Sequence, residues 1–80
     1  MKLPRDVSGE ELAKLLERYD FQITRQTGSH MRLITIIKGE YQITIPKHKS
    51  LKIGTLSCIL TDIANYLKIN KQSLIEKLWN

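Results

Sequence analysis

The sequence predicts an α+β fold with the element order αβββα and a short extra helix at its C-terminal end. Three observations carry that prediction. Apolar residues recur at three- and four-residue intervals over 9–19 and 53–67, three closely spaced strand-like runs lie between those stretches, and turn residues separate the runs. Consecutive strands with short connections pair antiparallel, so the middle of the chain reads as a three-stranded meander with two helices on one face. The 80 residues are expected to form a single domain. A chain of that size buries only about 60–65% of its unfolded surface, so any active site is shallow.

Ser8 has the character of a helix N-cap because Glu11 follows three residues later, the spacing of a capping box. In the helix predicted over Gly9–Tyr19, Leu12, Leu15, Leu16 and Tyr19 form the buried stripe, and Asp20, which tolerates a left-handed backbone, ends it. Phe21–Gln26 alternates, with Phe21 and Ile23 on the buried face of a first strand, and Gly28 breaks it. A second strand is predicted over His30–Ile37, a turn at Lys38-Gly39-Glu40, and a third strand over Tyr41–Ile45, where Pro46 ends pairing. The second long helix runs over Ile53–Leu67 with Leu56, Ile59, Leu60, Ile63, Ala64 and Leu67 inward. Asn70 caps a last helix that buries Leu74, Ile75 and Leu78, with Trp79 as a lid on that packing.

With Gly39 at the centre of its turn, residues whose numbers sum to 78 stand opposite each other, and Met31, Leu33, Ile37, Tyr41, Ile43 and Ile45 share one apolar face. A one-residue slip would bury Gln42 and Thr44 instead. The same register sets His30 opposite His48, and directly opposed side chains have Cβ atoms about 4.5–5.5 Å apart.

The net charge of +5 is uneven: 1–20 sums to −1, 21–57 to +5 and 58–80 to +1. A cationic middle attracts polyanions through release of their counterions, and it also suits a merely solvated face. Apolar runs are short and the start, Met1-Lys2-Leu3-Pro4, lacks the apolar core of a secretion signal. A soluble cytoplasmic protein is expected. A single cysteine, Cys58, forms no internal disulfide and reads as partly buried packing, and no residues have the spacing of a zinc site.

The αβββα layout is that of double-stranded RNA binding domains, which touch RNA through the first helix, the loop after the first strand and the basic start of the later helix. Here the last two places are Thr27–His30 and the lysine-rich Lys47–Lys52. Several short motifs, in order, then match one family. They are Leu3-Pro4-Arg5 with Val7-Ser8-Gly9, Phe21 leading into Arg25-Gln26-Thr27-Gly28-Ser29-His30, Ile45-Pro46-Lys47-His48, and Lys52-Ile53-Gly54-Thr55-Leu56 with Ile59-Leu60. In these the chain resembles the HicA toxins, mRNA interferases of toxin–antitoxin operons. It departs from their pattern at Asp20, where a glycine is common before the phenylalanine, and at Asn65-Tyr66, which replaces a frequent small residue and glycine.

The resemblance implies a toxin of a type II system that binds and cleaves mRNA without a metal or other cofactor, has His30 as its catalytic residue, and is covered by a HicB-type antitoxin. RNA supplies its own nucleophile, the 2′-hydroxyl, so one positioned imidazole and nearby cations suffice for the chemistry. On this reading His30 is the base or acid, His48 assists, and Gly28, Ser29, Arg32, Lys47, Lys49 and Lys52 hold the RNA. Two other classes stay open. One is a non-catalytic double-stranded RNA binding module using the same face, with His30 merely starting a strand; the other is a protein-interaction domain that offers the edge of its sheet to a partner's strand.

Overall fold

A computed structural model describes residues 3–80; the reading of Met1 and Lys2 as part of a non-apolar start lies outside them. The element order is the one the periodicities predict. Helix α1 spans Gly9–Leu15 and tightens into a 3-10 turn over Leu16–Tyr19; strands β1, β2 and β3 span Gln22–Gln26, His30–Thr35 and Tyr41–Pro46; helices α2 and α3 span Ile53–Leu67 and Lys71–Trp79. The strands form one antiparallel sheet in the order β1-β2-β3. Along β2, Met31, Leu33 and Thr35 are buried while His30 and Arg32 are exposed, so the helices cover one face and the other faces solvent. Among the described residues no helix is long and apolar enough to cross a membrane.

Each helix begins and ends for a local reason. The Ser8 hydroxyl accepts the Glu11 N–H at 2.9 Å, as the capping-box spacing predicts. Asp20 closes the first helical segment in the left-handed region at φ 61°, and Lys68 does the same for α2 at φ 59°. Asn70 accepts the Gln72 and Ser73 N–H groups at the start of α3. The predicted inward residues of α2 and α3 are all buried, in one core with Leu12, Leu16, Phe21, Met31, Leu33 and Ile45, and Trp79 packs partly buried against it. Cys58, by contrast, is exposed, because the buried stripe of α2 passes through Ile59 and Leu60 instead.

The hairpin register differs from the predicted one by two residues. Thr35 pairs with Tyr41, Leu33 with Ile43, Met31 with Ile45 and His30 with Pro46. The reason lies in the turn chemistry. The Gly39 N–H donates to the Ile36 carbonyl at 3.2 Å and Gly39 has φ 98°, so the glycine closes the turn from its last position and does not sit at its centre. A shift of two keeps every remaining strand residue on its predicted face. It does release Ile37, which is 45% exposed, and Thr35 takes the inward place with its hydroxyl donating to the Tyr19 carbonyl at 2.9 Å.

Two further expectations are corrected. Pro46 is the last paired residue of β3 and does not interrupt pairing, because the next amide, Lys47 N–H, still donates to the Ser29 carbonyl at 2.8 Å. Successive amides point to opposite sides, so the proline nitrogen faces the outer edge, where no donor is needed. Strand β1 is exposed throughout and not half-buried: Phe21, just before it, is fully buried, but Ile23 stands at the sheet's rim.

Tyr66 ties α2 to the β2–β3 turn. Its ring stacks on Tyr41 at 4.5 Å, and its hydroxyl accepts the Lys38 N–H at 2.8 Å while donating to the Gly39 carbonyl. Burial, with the Asp62 carboxylate as a second influence, raises the Tyr41 phenol above its ordinary value. Tyr66→Phe keeps the stack and removes both hydrogen bonds, an expected loss of about 1–2 kcal/mol in urea unfolding. An unchanged unfolding midpoint would show that the clamp contributes nothing.

Candidate functional site

The turn between β1 and β2 is built by a hydroxyl. Thr27 N–H donates to the His30 carbonyl at 2.9 Å, and the Thr27 Oγ1 accepts the backbone N–H groups of His30 at 3.1 Å and Ser29 at 3.3 Å. Gly28 does not adopt a positive φ, and a Cβ added there would meet nothing within 4 Å. The turn therefore does not require glycine for its backbone; the missing side chain leaves the surface beside His30 open.

His30 opens β2 on the solvent face. Its Nδ1 lies 2.9 Å from the Ser29 Oγ. When Nδ1–H donates to that hydroxyl, Nε2 carries the free lone pair and is the ring's base; when both nitrogens are protonated, Nε2–H is the acid. His30 lines an open depression of about 280 Å³ together with Arg25, Thr27, Arg32 and Thr44. Arg25 stands opposite Arg32 across β1 and β2, and Arg32 stands opposite Thr44 across β2 and β3.

The two arginines thus line one hollow. Like charges directly opposite each other destabilise a sheet, so this pair carries a cost that an anion between them would offset. Planar guanidinium forks suit a phosphate in particular.

Arg25 and Thr44 escape the sequence reading for identifiable reasons. Simple alternation puts Arg25 on the core side with Phe21 and Ile23. The structure has a bulge at Thr24: Ile23 pairs with Leu33, but Arg25 pairs with Arg32, and the extra residue turns Arg25 outward. The Thr24 hydroxyl donates to the Arg32 carbonyl at 3.4 Å beside this irregularity. Thr44 reaches the depression only in the corrected register, since the predicted one sets Pro46 against Arg32.

The predicted RNA-contacting residues separate into two groups. Ser29 and Arg32 are at or beside the depression, and Gly28 leaves its rim open. Lys47 lies next to the turn, its N–H on the Ser29 carbonyl and its Nζ donating to the Gln26 side chain at 3.4 Å. His48 is exposed but does not stand opposite His30; Pro46 does, and the His48 carbonyl instead accepts the Gly9 N–H at 3.0 Å. Lys49 and Lys52 are exposed on the loop that enters α2, with Lys52 at its N-cap, and neither lines the depression.

The loop that carries these cations is fixed from both sides. Leu51 N–H donates to the Val7 carbonyl at 2.7 Å, and Gly9 approaches β3 so closely that an added Cβ would lie 2.0 Å from the Pro46 carbonyl oxygen.

No curated protein and no solved structure matches the chain. The family model described as the HicA toxin of bacterial toxin–antitoxin matches residues 9–64, from the first residue of α1 to the last turn of α2. That stretch contains the sheet, the Thr27–His30 turn and the basic loop, and it stops just short of Asn65-Tyr66. On this match over well more than half of its length, the chain belongs to the family of HicA toxins of bacterial toxin–antitoxin systems.

Proposed function

We propose that this toxin is an endoribonuclease that cleaves mRNA in the cytoplasm with His30 as its catalytic residue, and that a HicB-type antitoxin neutralises it. The observation that carries the reading is that one histidine and two directly opposed arginines line a single open hollow of the sheet. In the proposed reaction Nε2 of His30 takes the proton of the RNA 2′-hydroxyl. The 2′-oxygen attacks the adjacent phosphorus, and the bond from phosphorus to the 5′-oxygen breaks. The products are a 2′,3′-cyclic phosphate and a 5′-hydroxyl, whose proton comes from solvent. Arg25 and Arg32 bear the charge that builds on the phosphorane, the term that contributes most where donors are preorganised.

The hydrogen bond between Ser29 and Nδ1 fixes the ring, and Lys47, Lys49 and Lys52, all on the loop between β3 and α2, hold the strand beyond the hollow by charge alone. His48 has no part in this scheme, because Pro46 occupies the place opposite His30. An open face suits a polymer, which supplies much of its own contact area beyond the hollow.

Incubating the purified chain with a labelled RNA tests the proposal. Fragments that accumulate with time are the expected result. RNA that is retained in complex but stays intact would establish a non-catalytic binding module instead.

A further inference from the structure

The solvent face of the sheet holds more than the cationic row. Beside Arg25, Arg32 and Thr44, the next row along the strands is Gln22, Ile34 and Gln42, and beyond it the chain leaves β2 at Ile36, which is 75% exposed. A groove of about 370 Å³ runs there, with Ile34, Ile36 and Ile37 along one side and the polar Asp20, Gln22, Thr24 and Thr35 completing its lining. Ile37, in the same groove, is 45% exposed. Exposed apolar side chains gathered in one groove mark an interaction surface. A polyanion lying on the arginines gains nothing from isoleucines, so RNA leaves this half of the face unexplained.

We propose that the groove seats an extended segment of the antitoxin, with an apolar side chain on Ile34 and Ile36 and an acidic side chain two residues along it between Arg25 and Arg32. Rows two residues apart on a strand lie about 6.6 Å apart, the spacing of same-side residues in one extended segment. The charge of the neighbouring row selects an acidic partner. It also disfavours a second copy of this chain, which would bring two arginine pairs together. The groove is lined from the β1–β2 side alone, and the Thr24 bulge bends the outer edge of β1, a device by which sheets resist edge-to-edge pairing, so the segment crosses the face and does not extend β1. The proposal rests on the reading of the hollow as the RNA site, because a segment seated in this way closes it.

Ile36→Asp tests the groove, with Ile53→Asp, an exposed isoleucine outside it, as the control. Calorimetry with the purified cognate HicB-type antitoxin should show at least about tenfold weaker binding for Ile36→Asp, a change of roughly 1.4 kcal/mol, and parental affinity for Ile53→Asp. RNA cleavage by Ile36→Asp should equal the parent's. Parental antitoxin affinity in Ile36→Asp, equal weakening in both variants, or a dimer of the isolated chain that Ile36→Asp dissociates would each overturn the proposal. Selective loss of antitoxin binding supports it even if the parent proves unable to cut RNA, so the two readings fail separately.

Discussion

Gly9→Ala destabilises the fold by about 3 kcal/mol or more, at the upper end of overpacking effects. The glycine is buried, and the Cβ of alanine would lie 2.0 Å from the Pro46 carbonyl oxygen and 3.0 Å from its carbon. Both obstacles are backbone, so no side chain can swing aside, and either α1 or the end of β3 must move. Alanine favours a helix by roughly 0.8–1.0 kcal/mol over glycine, which works in the opposite direction. The steric term wins because it displaces an anchored segment: the same approach carries the hydrogen bond from Gly9 N–H to the His48 carbonyl. A domain of this size has about 4–12 kcal/mol of stability in total, so the expected fall in Tm exceeds about 10 °C. Thermal and urea unfolding measure it, and parental midpoints would show that the chain accommodates the methyl group. Because Lys47 sits on the displaced segment, affinity for RNA should fall as well.

His30→Ala slows RNA cleavage by about 10²–10⁴-fold, or roughly 3–5 kcal/mol of barrier, the usual contribution of a positioned proton-transfer group. Folding should survive, since the side chain is exposed and the turn is closed by backbone groups and the Thr27 hydroxyl, which alanine leaves in place. RNA affinity should hold within a few-fold, because Arg25, Arg32 and the lysines of the loop remain. Single-turnover cleavage together with a binding isotherm on the same RNA separates the two quantities. A variant that cuts at the parental rate would remove His30 from the reaction.

The helices were legible because their boundaries rest on local chemistry. Ser8 with Glu11, Asp20 and Asn70 each act within a few residues, and the apolar spacing of α2 identifies every residue it buries. The sheet was legible in its order and in the faces of β2 and β3, but not in the register of that hairpin or in the faces of β1. Periodicity of two cannot distinguish a shift of two, and the position of Gly39 within its turn depends on a left-handed backbone and on a clamp from Tyr66, distant in sequence.

The candidate site divides in the same way. Ser29, His30 and Arg32 are adjacent in sequence and stay together in space, whereas Arg25 depends on a bulge that alternation does not reveal, and Thr44 on the register. His48 lost its expected place for that same reason: two residues of register put Pro46 opposite His30.

In the proposed reaction His30 acts on the RNA's own 2′-hydroxyl. An RNA carrying a single 2′-deoxy substitution at the mapped cleavage position, compared with its all-ribose counterpart, tests this most directly. The ribose substrate should yield a 2′,3′-cyclic phosphate end, and the deoxy position should stay uncut while binding is preserved. Cleavage of the deoxy substrate at the same bond and the same rate would contradict this reaction.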